Sequence, residues 1–512
     1  MSKEAENQET KNSEGLGGSI VTRRRLLQQA GCVIAATAIA PALGSATEQA
    51  VPASGKSAAA GSFAMDKLST YMSEARAHAL PAEVAEKAKQ HVLDTFAAMI
   101  SGTELPPGLV ALKFARQQAG GPVATVVASN VVCGPLEAAM ANGMLAHSDE
   151  TDDSHAFSHC HPGCAIVPAA LASGEQFGIS GAHFLRAVTL GWDVGTRVTM
   201  TLGSVPWEKQ THRSTHSIAN TFGASAAAGC AAGLNPQQMR WLLDYAAQQA
   251  SGILAWQRDS GHIEKSLVFA GFPARNGVSA AWIIQMGATG VDDIFTGADN
   301  YLLAQNSMGG PEGLIDQLGE RYEVTRTNIK KWTVGSPIQA VLDAVEILRK
   351  KHPFEASQVR TVVVRLGTSA AKTVNNREIP DINVQHLVAV MLIDKTVTFR
   401  AAHDLARVTD PAVLHERAKV QLVFDEELER AFPNREAIVE ITLNDGTKLS
   451  ERVTAVRGTT KNPMPREEVV AKARDLITPV LGPAACTSLI DKVFDVESLK
   501  DIRELRPLLQ RK

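Results

Sequence analysis

The chain has 512 residues, 45% of them hydrophobic and 5% aromatic, so it exceeds one minimal module of roughly 100–200 residues and can bury a large, alanine-rich core. Its 51 basic and 54 acidic residues leave a formal charge of −3, which excludes the basic footprint of a nucleic-acid binder and a polybasic membrane patch. Six scattered cysteines without a CxxC pair exclude a disulfide scaffold and give no structural zinc set.

The first twenty residues are polar. Thr22-Arg23-Arg24-Arg25-Leu26-Leu27-Gln28 then precedes an apolar run from Ala30 to Leu43 and small residues at Gly44-Ser45-Ala46. A charged segment, a short apolar segment and small residues predict a secretory signal over residues 1–46, too short to span as a permanent helix. The paired arginines resemble the twin-arginine form, so export in the folded state to the periplasm is expected, with a mature chain starting near Thr47. The plainer alternative is an uncleaved tail with a chance arginine run. Residues 47–64 are rich in Ala, Gly and Ser and read as a linker.

Helical patterning dominates from residue 65 to 325. Pro81 suits the first position of a helix running to Ile100, and Gly102 suits its stop. Pro135–Leu145, Ala165–Gly174, Gly181–Leu190, Ala224–Leu234, Pro236–Ile253 and Asn276–Gly287 carry small and apolar residues at helical spacing. Their apolar stripes are most simply core faces. Near residue 326 the texture changes. Ser336-Pro337 opens another helix, Thr361–Leu366 and Lys419–Phe424 are β-rich, and Ala437–Leu443 and Lys448–Val453 flank Asn444-Asp445-Gly446 as a hairpin. Residues 326–455 therefore read as a smaller α+β domain, and residues 456–512 as helices returning to the first. The expected class is mainly α, with a large all-helical domain and a smaller α+β one. No dinucleotide fingerprint or phosphate loop is present.

The densest chemical signal is residues 147–161, with four carboxylates and four histidines. Three readings stand side by side. Imidazole and carboxylate suit zinc, manganese or iron, although the spacing matches no HExxH or closed zinc pattern. Alternatively, carboxylates orient histidines for metal-free acid–base chemistry. Or the loop merely caps helices, for which Asp152, Asp153 and Ser154 are suited. Two further islands, Lys209–His216 with Arg213 and Arg258–Lys265, precede Gly/Ala-rich helices. Basic residues at helix starts favour bound carboxylate, although long basic side chains also simply cover surface.

Several landmarks together resemble the MmgE/PrpD family, which includes 2-methylcitrate dehydratase, cis-aconitate decarboxylase and iminodisuccinate epimerase. They are Ala141-Asn142-Gly143 with His147, Asp152-Asp153-Ser154-His155, His161-Pro162-Gly163, Thr221-Phe222-Gly223, Gly271–Gly277 with Arg275, Lys330–Pro337 with Asp343, and Gln385-His386 before Met391-Leu392-Ile393-Asp394. The resemblance spans about residues 65–500. It implies that the α+β domain is a lid, that the active site lies in the cleft beneath it, and that the protein is a homodimer needing no metal or cofactor. Carried over by position, Glu150 stands where the family usually has Asp, Ser154 replaces a threonine, and His161 and Lys330 match. His386 stands where the decarboxylase has a tyrosine. A family histidine falls on Ser214, with His216 two residues later, and a family lysine falls on Ser266, with Lys265 one residue earlier. These departures point to a subgroup with a different substrate.

Reactions of this family gain or lose a proton on carbon beside a carboxylate, so a dianion must be stabilised. The resemblance implies His161, Lys265 and His216 as catalytic groups. It implies Glu150, Asp153, Ser154, Arg213, Arg275, Lys330 and His386 as substrate-binding or orienting groups. The expected substrate is a small di- or tricarboxylate, with no nucleic-acid partner and no membrane association after export. A metal-dependent hydratase or hydrolase and a non-catalytic periplasmic carboxylate binder remain the alternatives.

Overall fold

A computed structural model describes residues 55–118 and 120–511. The expected signal at 1–46 and the first part of the linker lie outside the described residues. Residues 55–64, expected as linker, instead belong to a helix, Gly55–Glu74. Alanine, read as a flexible-linker residue, is also the strongest helix former, and here that propensity prevails.

The protein is mainly α with a smaller α+β part. One apolar core collects residues from Met65 to Ile329 and from Met464 to Leu509, and a second collects Trp332 to Val456. The helix Ala82–Gly102 begins directly after Pro81. It packs against Arg466–Leu481 from the far end of the chain. That return is pinned by a buried pair, Lys472 Nζ–Asp94 Oδ1 at 2.6 Å, and by Lys472 donating to the Thr151 carbonyl at 2.9 Å. The last helices thus touch the histidine-rich loop itself.

At the centre, Gly181–Leu202 lies along Thr215–Ala231. Their backbones approach so closely that a Cβ on Gly195 would overlap the Ala219 carbonyl and one on Gly191 would sit 2.9 Å from the Gly223 carbonyl. Only small residues permit this packing. Ser180 and Ser214 cap the two helices by accepting from His183 N and Ser217 N.

The α+β part has a four-stranded sheet of β3 (Val359–Gly367), β4 (Val420–Asp425), β5 (Ala437–Leu443) and β6 (Lys448–Val453) in the order β4-β3-β5-β6. A two-stranded ribbon, β1 (Ala124–Thr125) with β2 (Val132–Cys133), lies in the helical part. β3 pairs parallel with β4 and antiparallel with β5, and β5 and β6 form the expected antiparallel hairpin. Val362, Val364 and Leu366 alternate inward from β3. The helix Gln339–Lys351 packs on β5, β6 and Val384–Asp394. All five cysteines among the described residues are buried and free.

Candidate active site

The loop from His147 to His161 joins the helices Pro135–Ala146 and Gly163–Phe177. Its His147, Asp149, Glu150, Asp152, Asp153, His155 and His161 are all buried, so it is not a solvated polar connection. Buried charged groups require partners, and each carboxylate here has one. Asp152 bridges two imidazoles, receiving His147 Nδ1 at 2.9 Å and His161 Nδ1 at 3.2 Å. Burial acts to raise the Asp152 carboxyl, yet His147 and His161 hold it well below the usual carboxylate range. Glu150 pairs with Lys265 and lies 3.6 Å from Lys330 Nζ. Those two ammoniums likewise outweigh its burial.

The neighbour of Asp152 does something else. Asp153 Oδ1 accepts from Gly163 N at 2.9 Å and Oδ2 meets His91 Nδ1 at 3.1 Å. It caps the following helix and faces the helical core. Asp153, expected as a substrate-binding or orienting group, is thus engaged at both oxygens by the protein itself. Ser154 lines a cavity, and its backbone exchanges two hydrogen bonds with Asn328, at 3.0 and 2.8 Å. That bridge sets the path of the chain leading to Lys330, whose Nζ donates to the Glu150 carbonyl at 2.6 Å. His155 is held by Glu323 at 3.2 Å and Ser158 at 2.8 Å, an anchoring role.

His161 lines the same cavity. Burial pushes its imidazole down to about 4, with Lys330 adding to the effect and Asp152 opposing it. It is thus neutral at ordinary pH. Asn220 Nδ2 holds the His161 carbonyl at 2.9 Å and the Phe269 carbonyl at 2.6 Å. His216 stacks on Phe269 at 4.0 Å between ring centres and faces His161 at 5.3 Å. Burial, followed by His159 and His161, pushes His216 well down.

The two sequence offsets have local causes. Ser214 caps the helix Thr215–Ala231, and His216, in its first turn, is the imidazole that faces His161. Ser266 is buried and donates back to the Ile263 carbonyl at 2.8 Å. Just after it, Leu267–Gly271 forms a π-turn leading into Phe272–Gln285. A π-turn holds one residue more than an α-turn, so it accommodates a one-residue offset, and such turns mark functional sites. Lys265 consequently reaches Glu150, its ammonium 5.5 Å from the Trp256 ring centre and 5.3 Å from that of Phe269.

Arg213, Arg275 and His386 are not among the residues lining that cavity. Arg213 Nη1 donates to the Ala304 carbonyl at 3.2 Å and to Gln305, because the chain reverses at His212 and turns the side chain outward. Arg275 is exposed on the outer face of Phe272–Gln285. His386 is buried with both ring nitrogens unpartnered. Its imidazole is pushed down to about 4 by burial, then by Arg417 and Arg407, so its charged neighbours are not those of His161.

The α+β part instead contributes groups with no motif to announce them. His403 Nε2 lies 3.0 Å from Asp149 Oδ2 and 3.8 Å from Asp381 Oδ2, while Nδ1 bonds the Phe399 carbonyl at 2.8 Å. Despite burial, Asp149 and Asp381 push His403 up to about 9. Burial raises Asp381 to about 6. In the helical part, His262, with a left-handed backbone (φ 59°), has its ring centre 5.1 Å from that of His147. Glu208 joins His159, at 3.3 Å, to Thr215 Oγ1, at 2.7 Å. The cavity, about 140 Å³, lies along the seam of the two parts. Ser154, His159, His161, His216, Lys330 and Arg435 are among its lining residues. Lys265, paired to Glu150, is not among them.

A mainly α chain with a buried carboxylate–imidazole–ammonium cluster at its seam with a small α+β part is the class that fold and site define. Residues 66–312 match the MmgE/PrpD N-terminal domain and residues 332–496 the MmgE/PrpD C-terminal domain. The chain belongs to the MmgE/PrpD family. It is 25% identical over 474 residues to a cis-aconitate decarboxylase-like protein of Aspergillus oryzae, covering 86% of this chain and 96% of that one. It is 25% identical over 470 residues to a cis-aconitate decarboxylase of Aspergillus terreus (84% and 92% covered), and 24% identical over 397 residues to that of Mus musculus (73% and 78%).

Proposed function

We propose that this protein is a lyase or isomerase that moves a proton on carbon beside a carboxylate of a small di- or tricarboxylic acid, using its own side chains without metal or cofactor. The observation that carries this reading is the Asp152–His161 pair, an oriented and buried imidazole lining a cavity beside the Lys330 ammonium. Family membership and relatives named cis-aconitate decarboxylase support lyase chemistry on carboxylic acids.

The ionised Asp152 requires a donor, so His161 Nδ1 carries its proton and Nε2 its lone pair. Nε2 accepts the proton from the substrate carbon, and Asp152 stabilises the imidazolium that forms. The electron pair left on carbon delocalises into the adjoining carboxylate, and Lys330 offsets the second negative charge, with Lys265 acting from behind Glu150. Three outcomes share this step or its reverse: loss of a neighbouring hydroxyl, reprotonation on the other face, and protonation of a carbon that has lost carbon dioxide. His216, whose ring faces that of His161 at 5.3 Å, is the proposed second proton carrier. The substrate is proposed to differ from that of the relatives, on the strength of Glu150, His216 and Lys265. A periplasmic homodimer is the proposed working form, the assembly tested by sedimentation.

The test is a panel of tricarboxylates, dicarboxylates and amino-dicarboxylates followed by proton NMR in deuterium oxide. Exchange at carbon reports proton abstraction without net turnover. His161→Ala is expected to lower exchange by about 10²–10⁴-fold with the fold intact; exchange at the wild-type rate refutes the assignment. Binding without exchange of any acid points instead to a carboxylate binder.

One observation favours a second reading. His147, Asp152 and His161 present ligand atoms within 4.8 Å of one another, as do His159, Glu208 and His216, a donor set suited to zinc or iron. Against it, both Asp152 oxygens already accept hydrogen bonds, and Lys330 Nζ, 3.8 Å from Oδ1, repels a dication. Elemental analysis of the purified protein, with exchange measured before and after chelation, separates the two.

A further inference from the structure

Five cationic side chains line the cavity at the seam. Four are accounted for. Lys330 is held by Glu150, Arg326 by Glu323 at 2.9 Å, Arg457 by Glu468 at 2.6 Å, and Lys461 is exposed to water. Arg435 is different. It is partly buried in residues 431–436, the connection leading into β5. Among the described residues its guanidinium makes no hydrogen bond or ion pair, and it lies 5.7 Å from the centre of the Phe432 ring. Burial pulls its pKa down, with the charges of Glu150 and Glu429 opposing. Glu150 is nonetheless committed to Lys265 and Lys330.

A guanidinium that lines a cavity and has no counter-ion among the described residues is available to an anion. Its planar fork matches a carboxylate with two parallel hydrogen bonds. His161 and Lys330, the groups proposed to serve the reacting carbon and its own carboxylate, line the same cavity. We propose that Arg435 is the binding residue for a second, remote carboxylate of the substrate, so that the site selects acids with at least two carboxylates and bridges them from the helical part to the α+β part. The cavity volume, about 140 Å³, is close to that of a cavity that admits a benzene-sized guest, on the order of 150 Å³. A short polycarboxylic acid is of that scale. This inference rests on the acid–base reading for the position of the reacting carbon.

The experiment is calorimetric titration of wild type, Arg435→Met and Arg435→Lys with propane-1,2,3-tricarboxylate, pentanedioate and propanoate, alongside circular dichroism and melting of each variant. Wild type is expected to bind the tricarboxylate, and Arg435→Met to weaken it by roughly 10–100-fold, the usual effect of losing a charged hydrogen-bonded contact. Arg435→Lys should recover part of the loss, and propanoate should not distinguish Met from Arg. Equal tricarboxylate affinity in wild type and Arg435→Met overturns the inference. So does an equal loss for propanoate, or a wild type that binds neither polycarboxylate. If binding depends on Arg435 but no acid exchanges a carbon proton, the reaction fails and this site stands. If exchange proceeds in Arg435→Met with unchanged KM, the reaction stands and this site fails.

Discussion

His403 ties the α+β part to the catalytic loop, and the pH at which that tie breaks follows from its surroundings. Nε2 faces Asp149 at 3.0 Å and Asp381 at 3.8 Å, with Nδ1 engaged by the Phe399 carbonyl, so the protonated ring is ion-paired at one end and hydrogen-bonded at the other. Its pKa rises from the ordinary 6.5 to about 9, because Asp149 and then Asp381 outweigh burial. At 1.36 kcal/mol per pH unit the imidazolium contributes about 3 kcal/mol to the folded state. A group raised on folding gives its full contribution below its unfolded pKa and loses it as pH rises through the folded one. The stabilisation should thus be complete below about pH 6.5 and largely gone above pH 9. His403→Gln keeps a donor toward Asp149 but cannot titrate. Urea unfolding of both proteins at intervals between pH 6.5 and 9.5 gives the difference in stability, in which groups common to both cancel. That difference should shrink by about 3 kcal/mol across the window, and carbon-13-labelled histidine should show one resonance titrating near 9 in wild type that the variant lacks. Parallel stability curves, or no such resonance, refute the ion pair as the element holding the seam.

Asp152→Asn should cost about 10²–10⁴ in kcat with KM little changed, because an amide cannot accept from both His147 and His161 and forces one ring into the other tautomer; an unaltered kcat measured on the reactive acid refutes the orienting role. The acid limb of kcat/KM should fall near 4 rather than 6.5, since His161 must be neutral to act and burial has lowered it; a limb at 6.5 or above, in a pH profile of the free enzyme, assigns the base to another group. Arg23→Lys with Arg24→Lys should leave precursor in the cytoplasm on fractionation, and the variant's appearance in the periplasm refutes twin-arginine export.

What the sequence discloses, and what it withholds, follows the range of the interactions. Helix starts at Pro81 and Pro135 were readable because proline at the first turn is a local rule, and the β5–β6 hairpin was readable from alternation and turn residues. The parallel pairing of β3 with β4 was not, since nothing local records which distant strand will be the neighbour. The site divides in the same way. His161, Glu150 and Lys330 were singled out by motif, and the structure brings them together. His403 was not, because its partner Asp149 across the seam is created only by packing, and Arg435 was not, because only packing brings it to the cavity. Asp152 and Asp153 show that even a motif does not assign its members. Adjacent and chemically identical, they point in opposite directions, one to two imidazoles beside the cavity and the other to a helix start and His91. The cap at Asp153 fixes the loop so that the bridge at Asp152 can orient His161, which makes the capping and acid–base readings complementary parts of one loop rather than rivals. On the proposed reading the proton-moving groups are set by the loop's own sequence, while the group proposed to choose the acid, Arg435, comes from the α+β part. Substitutions around Arg435 should therefore change which acid is accepted before they change whether a proton moves.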